Sequence, residues 1–326
     1  MKSSNIAFRK DDVQSLAIDF LAISQKAAIA SFPWIGKGNK NLADGAGTES
    51  LRKEMNKVDM QAVIVIGEGE MDEAPMLYIG EELGTGKGPS LDIAVDPVEG
   101  TTLLSKGQDN SLCVIAASAR GSLLHAPDMY MEKIAVGPKA KGCINIEWSL
   151  MDNIKAVAQA QNKEMKDITV MIQDRPRHHH LIEQVFSLGA SVRLFSDVDI
   201  TAAIATAIDE SDVDLFVGTG GAPEGVISAT ALKCLGGDFQ GKLIPKDQEE
   251  YDRCVKMGIT NPNKVLKLND IIRSEDCFFV ATGITNGMLL QGVRSMDDKS
   301  RLTHSFVTIG GDSENYQFIE AKHSLK

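Results

Sequence analysis

Apolar residues return at helical spacing near the start of the chain, at Val13, Leu16, Ala17, Phe20, Leu21, Ala27 and Ala28. Asp11 and Asp12 stand where a first helical turn favours acids, so the pattern predicts a helix over 13–29. A loop rich in Gly, Lys and Asn is predicted over 36–42, then a second helix over 48–58. Short β-rich runs follow at 62–66, 91–95 and 111–117, each closed by turn residues, and 70–83 reads as partly helical. From residue 152 the pattern becomes alternation. Helices are predicted at 153–161, 179–188, 200–208 and 224–235, with strands at 168–172, 191–195 and 215–217. Late strands are predicted at 277–281 and 305–308. Such alternation predicts an α/β fold whose strand-end loops carry function. Two lobes are expected, an α+β lobe over 1–155 and an α/β lobe over 156–326. The linker-like stretch 242–250 is short and charged.

Composition narrows the class. The 326 residues are 43% hydrophobic and 24% charged, as in ordinary folded proteins, and suffice for a large core. The formal charge of −11 argues against nucleic acid or an anionic membrane as the main partner. A phosphorylated substrate stays compatible, because a bound cation and a few placed arginines reverse the local field. The five cysteines form no C-x-x-C pair, which fits free thiols in a reducing cytoplasm. Residues 1–10 are polar and lack an apolar signal region, and runs such as 62–66 are too short for a bilayer. A soluble, cytoplasmic protein is expected.

Acids beside glycines carry the candidate chemistry. Asp96-Pro97-Val98-Glu99-Gly100-Thr101 follows a buried-looking run. In a helical turn Asp96 and Glu99 would share a face, and paired carboxylates favour Mg²⁺ or Mn²⁺. Gly100 permits close approach, and Thr101 adds a hydroxyl. The same residues also read as a capping box, with Asp96 as N-cap. Glu68 in Gly67-Glu68-Gly69-Glu70 follows another apolar strand, a pattern that also suits a solvated turn. Asp44 in Ala43-Asp44-Gly45 is a candidate ligand or a helix cap. Gly218-Thr219-Gly220-Gly221 precedes a helix whose first turn holds Glu224. Backbone N–H groups of such a run can cradle phosphate, though the spacing fits neither a P-loop nor a dinucleotide fingerprint. Taken together, converging carboxylates, glycines and a hydroxyl are the inventory of metal-assisted phosphoryl chemistry.

Basic groups would hold phosphate. Arg175-Pro176-Arg177 follows a strand and suits forked phosphate contact, or serves as surface charge. His178, His179 and His180 read as an exposed helix start. Asp197 and Asp199 flank Val198 and could accept sugar hydroxyls or cap a helix. Tyr130 suits a ligand contact or packing, and Lys40 a phosphate contact or solvent.

These strings resemble the class II, GlpX-type fructose-1,6-bisphosphatases, within the lithium-sensitive, metal-dependent sugar phosphatases. The resemblance is carried by Ala43–Ala46, by 64–81, by 92–101, by 126–133, by Gly220-Gly221-Ala222-Pro223-Glu224-Gly225-Val226 and by 281–285. It extends from about residue 15 to about 310. It implies a layered α/β/α/β/α sandwich and Mg²⁺- or Mn²⁺-dependent hydrolysis of the 1-phosphate of fructose 1,6-bisphosphate. The implied metal carboxylates are Asp44, Glu68, Asp96, Glu99 and Glu224, in a two- or three-cation site. Thr101 is the implied catalytic hydroxyl. The implied substrate contacts are Glu99, Gly100, Thr101, Tyr130, Arg175, Pro176, Arg177, Asp197, Val198, Asp199 and Gly221. Sedoheptulose 1,7-bisphosphate or an inositol phosphate is the alternative substrate, and a non-catalytic sugar-phosphate sensor the alternative class. The expected partners are the sugar bisphosphate and copies of the chain, as a dimer or tetramer. One departure concerns the sugar loop: Ser196-Asp197-Val198-Asp199 stands where the family commonly has Pro-Asp-Gly-Asp.

Overall fold

Residues 10–67, 77–311 and 316–325 are described by a computed structural model of the chain. The polypeptide opens with α1 (Lys10–Ser31) and α2 (Lys40–Met55), then β1 (Gln61–Ile66), β2 (Glu82–Leu83), β3 (Ser90–Glu99), α3 (Thr101–Ser105) and β4 (Leu112–Ala119). It continues through β5 (Tyr130–Val136), α4 (Leu150–Gln161), β6 (Thr169–Gln173), α5 (His179–Ser187), β7 (Ser191–Phe195), α6 (Asp199–Ala205) and β8 (Leu215–Gly221). Then come α7 (Ala222–Cys234), β9 (Asp238–Leu243), α8 (Gln248–Lys256), β10 (Leu266–Lys267) and α9 (Leu268–Ile271). The chain closes with β11 (Cys277–Gly283), β12 (Arg294–Asp297), β13 (Ser300–Ile309) and β14 (Tyr316–Ser324). The fold is mixed α/β, with two sheets among the described residues.

Two compact units emerge, residues 1–123 with 274–326, and residues 124–273. This replaces the expected division into 1–155 and 156–326. The reason lies in strand pairing: β11 runs antiparallel to β4 from Cys277↔Ser118 to Gly283↔Leu112, so the last segment completes the sheet begun by the first.

In the first unit the strand order is β12-β13-β11-β4-β3-β1-β2, with β14 also on β13. α1 lies on this sheet, with Val13, Leu16, Ala17, Phe20 and Ala27 in its core. Phe20 meets Phe278 edge to face, ring centres 5.1 Å apart. The stretch Asp11–Trp34 is long and apolar enough to cross a membrane by length and composition, yet its apolar face is consumed by this core. α2 starts earlier than the sequence pattern indicates. Asn39 is its N-cap, its side chain accepting the Leu42 N–H at 3.0 Å. Gly45 and Gly47 weaken the helical signal by about 1 kcal/mol each, which is why the pattern places the start of the helix only at 48.

In the second unit the order is β10-β9-β5-β8-β6-β7. β6 runs parallel to both its neighbours, β7 and β8, while β5 runs antiparallel to β8 and to β9. Ile134, Val136, Ile154, Val157, Val170, Ile172 and Leu215 form its core with α4 and α5. The carboxyl ends of β6, β7 and β8 therefore meet the start of β5, the end at which open α/β sheets place their ligands.

Candidate active site

In the first unit, β3 continues through Glu99, so Asp96 is a strand residue and not a helix cap. Residues three apart on a regular strand face opposite ways. Here Asp96 pairs with Val114 and Glu99 with Leu112, so β3 carries one extra residue between them. That bulge returns Asp96 and Glu99 to one face. Pro97, which has no N–H to give a ladder, sits inside the bulge, and Asp96 Oδ1 accepts the Val98 N–H at 2.9 Å. Gly100 then takes φ +79°, open to glycine, and Thr101 begins the five-residue α3.

Asp44 lies inside α2, not at its cap. The helix approaches β3 closely because residue 47 is glycine: a Cβ there would stand 3.1 Å from Val98 Cγ2 and 3.3 Å from Pro97 Cβ. Asp44 is 7% exposed, and its Oδ1 is buried without a hydrogen-bond partner. Burial first, then the nearby Asp96 charge, push its pKa up from 3.8 to about 6. Thr48, one turn along, has a buried hydroxyl that also lacks a hydrogen-bond partner. A buried carboxylate oxygen with no donor, set in the field of a second carboxylate, fits a bound divalent cation. Lys40, the first residue of α2, donates from Nζ to Thr102 Oγ1 at 2.6 Å, which places an ammonium beside the Thr101–Thr102 turn. Glu68 falls outside the described residues. Among the described residues no group of three or more His, Cys, Asp or Glu stands ready to hold a metal.

In the second unit the glycine run is not a free loop. β8 runs to Gly221, which pairs with Tyr130 of β5. Thr219 N–H donates to His178 Nε2 at 2.8 Å, and Thr219 O accepts from Arg177 Nε at 2.9 Å. The glycines make room for side chains instead. A Cβ on Gly220 would collide with Asp199 Oδ2, and one on Gly221 with the Glu224 carboxylate. Arg177 also donates to Gln173 Oε1 at 2.7 Å, and its guanidinium lies 5.3 Å from the centre of the Tyr130 ring. Tyr130 is 56% exposed, so this stacked pair borders solvent. Pro176 opens the single helical turn that sets Arg177 and His178. Arg175 Nη2 stands 4.0 Å from Asp197 Oδ1, an open pair of small energetic weight.

Val198 adopts φ +73° and ψ 73° before α6, although it is β-branched and buried. The glycine-like conformation is kept where glycine is absent, a strain of order 1–3 kcal/mol. Asp199 follows and accepts Lys133 Nζ at 2.6 Å.

The structure thus gathers Tyr130, Arg177, Asp199, Gly221 and Glu224 at one end of the second sheet, with Arg175 and Asp197 paired alongside. Asp44, Asp96, Glu99, Gly100, Thr101 and Lys40 belong to the α2–β3–α3 region of the first unit. One expectation is corrected: His178 is buried, while His179 and His180 are exposed. Its Nδ1 pairs with Gln173 O at 2.9 Å while Nε2 takes the Thr219 N–H, so the neutral ring carries its proton on Nδ1. Lys133 is the residue sequence reasoning passed over, whereas the sequence pattern reads His178 as exposed. Lys133 had a signal, since it occupies the same strand parity as buried Met131 and Ala135.

The family model described as bacterial fructose-1,6-bisphosphatase, glpX-encoded, matches residues 14–323. A relative from Escherichia coli named fructose-1,6-bisphosphatase 1 class 2 is 44% identical, covering 96% of each chain. One from Haemophilus influenzae, named fructose-1,6-bisphosphatase class 2, is 41% identical over 96% of this chain and 97% of its own. Among solved structures, the extragenic suppressor protein SuhB of Bartonella henselae aligns with 60% of this chain and 74% of its own, at 12% identity and a TM-score of 0.33. With match and identity extending over nearly the whole length, the chain belongs to the bacterial, glpX-encoded fructose-1,6-bisphosphatase family.

Proposed function

We propose that this chain is a metal-dependent phosphatase that hydrolyses the 1-phosphate of fructose 1,6-bisphosphate, yielding fructose 6-phosphate and phosphate, in cytoplasmic gluconeogenesis. The names of its relatives supply the substrate. The observation that carries the chemistry is the buried Asp44 carboxylate, whose Oδ1 lacks a hydrogen-bond donor and which feels Asp96. Asp44, Asp96 and Glu99 are the proposed cation ligands in the first unit, and Glu68 and Glu224 are assigned the same role. An all-oxygen set of this kind suits Mg²⁺ or Mn²⁺. When bound, the cation polarises the phosphoryl oxygens and stabilises charge on the leaving oxygen.

The chain's own groups do the rest. Thr101 orients the attacking water from its hydroxyl. Lys40 offers a positive charge at the same turn. Arg177, held in plane by Tyr130, Thr219 and Gln173, grips the far phosphate, with Arg175 and Pro176 shaping the loop. Asp197 and Asp199, on either side of Val198, accept sugar hydroxyls, and Gly221, whose missing side chain makes room for the Glu224 carboxylate, borders the same site. The deciding measurement is phosphate release from fructose 1,6-bisphosphate with Mn²⁺, with Mg²⁺ and with chelator. Release that needs a cation supports the reading. Binding without release would indicate a sensor. Faster release from sedoheptulose 1,7-bisphosphate or inositol monophosphate would move the substrate assignment.

A further inference from the structure

Lys133 stands in mid-β5 with its side chain 1% exposed, and its Nζ meets Asp199 Oδ2 at 2.6 Å. Asp199 keeps 12% of its side-chain surface open. Burying a lysine and an aspartate costs more desolvation than an apolar pair of the same volume, so stability alone does not account for the pair. The surroundings are cut to fit it. A Cβ on Gly220 would strike Asp199 Oδ2 and stand 3.3 Å from Lys133 Nζ. The same stretch carries Gly221 and Glu224, and β5 itself begins at Tyr130.

We propose that Lys133 is a positioning residue that aims the Asp199 carboxylate at a sugar hydroxyl. One carboxylate oxygen is bound by the ammonium, which fixes the side-chain torsions and leaves the second oxygen as acceptor. The bond also ties β5 to the first residue of α6, directly after the strained Val198. Lys133 touches no substrate, being too deeply buried, and acts through Asp199. The proposal rests on the reading of Asp199 as a sugar contact.

A double-mutant cycle tests it: wild type, Lys133→Met, Asp199→Asn and the double variant. Each is assayed for KM and kcat on fructose 1,6-bisphosphate with saturating Mn²⁺, and for its thermal melt. Each single variant should raise KM about tenfold or more, the scale of a lost hydrogen bond to a charged group, with kcat within about threefold. The double variant should have the same KM as Asp199→Asn. Lys133→Met leaves a carboxylate buried alone, so if it fails to fold, the double variant against Asp199→Asn carries the test. A further rise in KM for the double variant overturns action through Asp199. A lower melt with unchanged KM for Lys133→Met, when Asp199→Asn raises KM, overturns the positioning role alone. An unchanged KM for Asp199→Asn overturns the sugar contact and the proposal with it.

Discussion

Two residues of the first unit carry proposed roles that can be separated by experiment. Thr101 stands just after Gly100, whose φ of +79° turns the chain out of β3. A hydroxyl that orients water contributes in the transition state more than in substrate binding. Thr101→Ala should therefore lower kcat about 100-fold or more while KM stays within about threefold, as steady-state phosphate release will tell. Asp44 works in the opposite sense when no cation is bound. Its pKa lies near 6 in the folded chain against 3.8 for an ordinary carboxyl. Below that window both states hold the proton. As pH rises through it, the unfolded chain loses its proton first, so stability falls. The gap between the two pKa values corresponds to at most roughly 3 kcal/mol. In chelator, Asp44→Asn should raise the melting temperature at pH 7.5 and raise it less at pH 5. The same variant should lose most of the stabilisation that Mn²⁺ gives the wild type. An equal effect at both pH values would contradict the buried-carboxylate account.

At the scale of elements, the sequence was legible where periodicity is local. β7 was expected at 191–195, where it lies, and α1 and α4 differ by only a few residues at their ends. It was not legible where glycines serve tertiary contacts. Gly47 brings α2 against β3, and Gly220 and Gly221 yield space to Asp199 and Glu224. Both stretches therefore read as loop although they are helix and strand. The β3 bulge was equally hidden, because an extra residue is defined only by the partner strand β4. The expected sharing of a face by Asp96 and Glu99 stands, but through a bulge and not a helical turn. His178 illustrates a third limit, since its two partners lie on β6 and β8. It staples the ends of those strands, and Arg177 repeats the link. Burial first, with the Arg177 charge, holds its pKa below 6.5, against the opposing pull of Gln173 O and Asp199. The stabilisation from the neutral ring is thus full above about pH 6.5 and lost as pH falls below it. His178→Asn should cost about 2–4 kcal/mol near pH 7.5, from two lost bonds and a stranded Thr219 N–H. Urea unfolding at pH 5.5 should give a smaller difference.

At the scale of the whole molecule, the expected break near residue 155 failed for a physical reason. Hydrophobic pattern identifies strands but not their partners, and β11 and β13 carry no local mark that they belong with β4. The second unit is a continuous segment set into the first. Its ends are joined, for Leu124 N–H donates to Ile271 O at 2.8 Å. Just outside it, Ala119 N–H donates to Asp276 O at 3.3 Å. Close termini, a complete six-stranded sheet and a separate core of α4, α5 and β-strand residues are the attributes of an independently folding insert. The first unit has none of that autonomy when cut in sequence. A fragment of 1–155 would keep α1 and β4 but lose β11, so Phe20 would face no Phe278 and the β4 edge would lie open. Fragment 124–273 should therefore melt cooperatively on its own and protect its β5, β6 and β8 amides from exchange. Fragment 1–155 should be unfolded or aggregated at the same concentration. If 1–155 melts cooperatively and 124–273 does not, the division drawn from strand pairing is wrong, and the linear reading of the sequence is the better guide to how this chain folds.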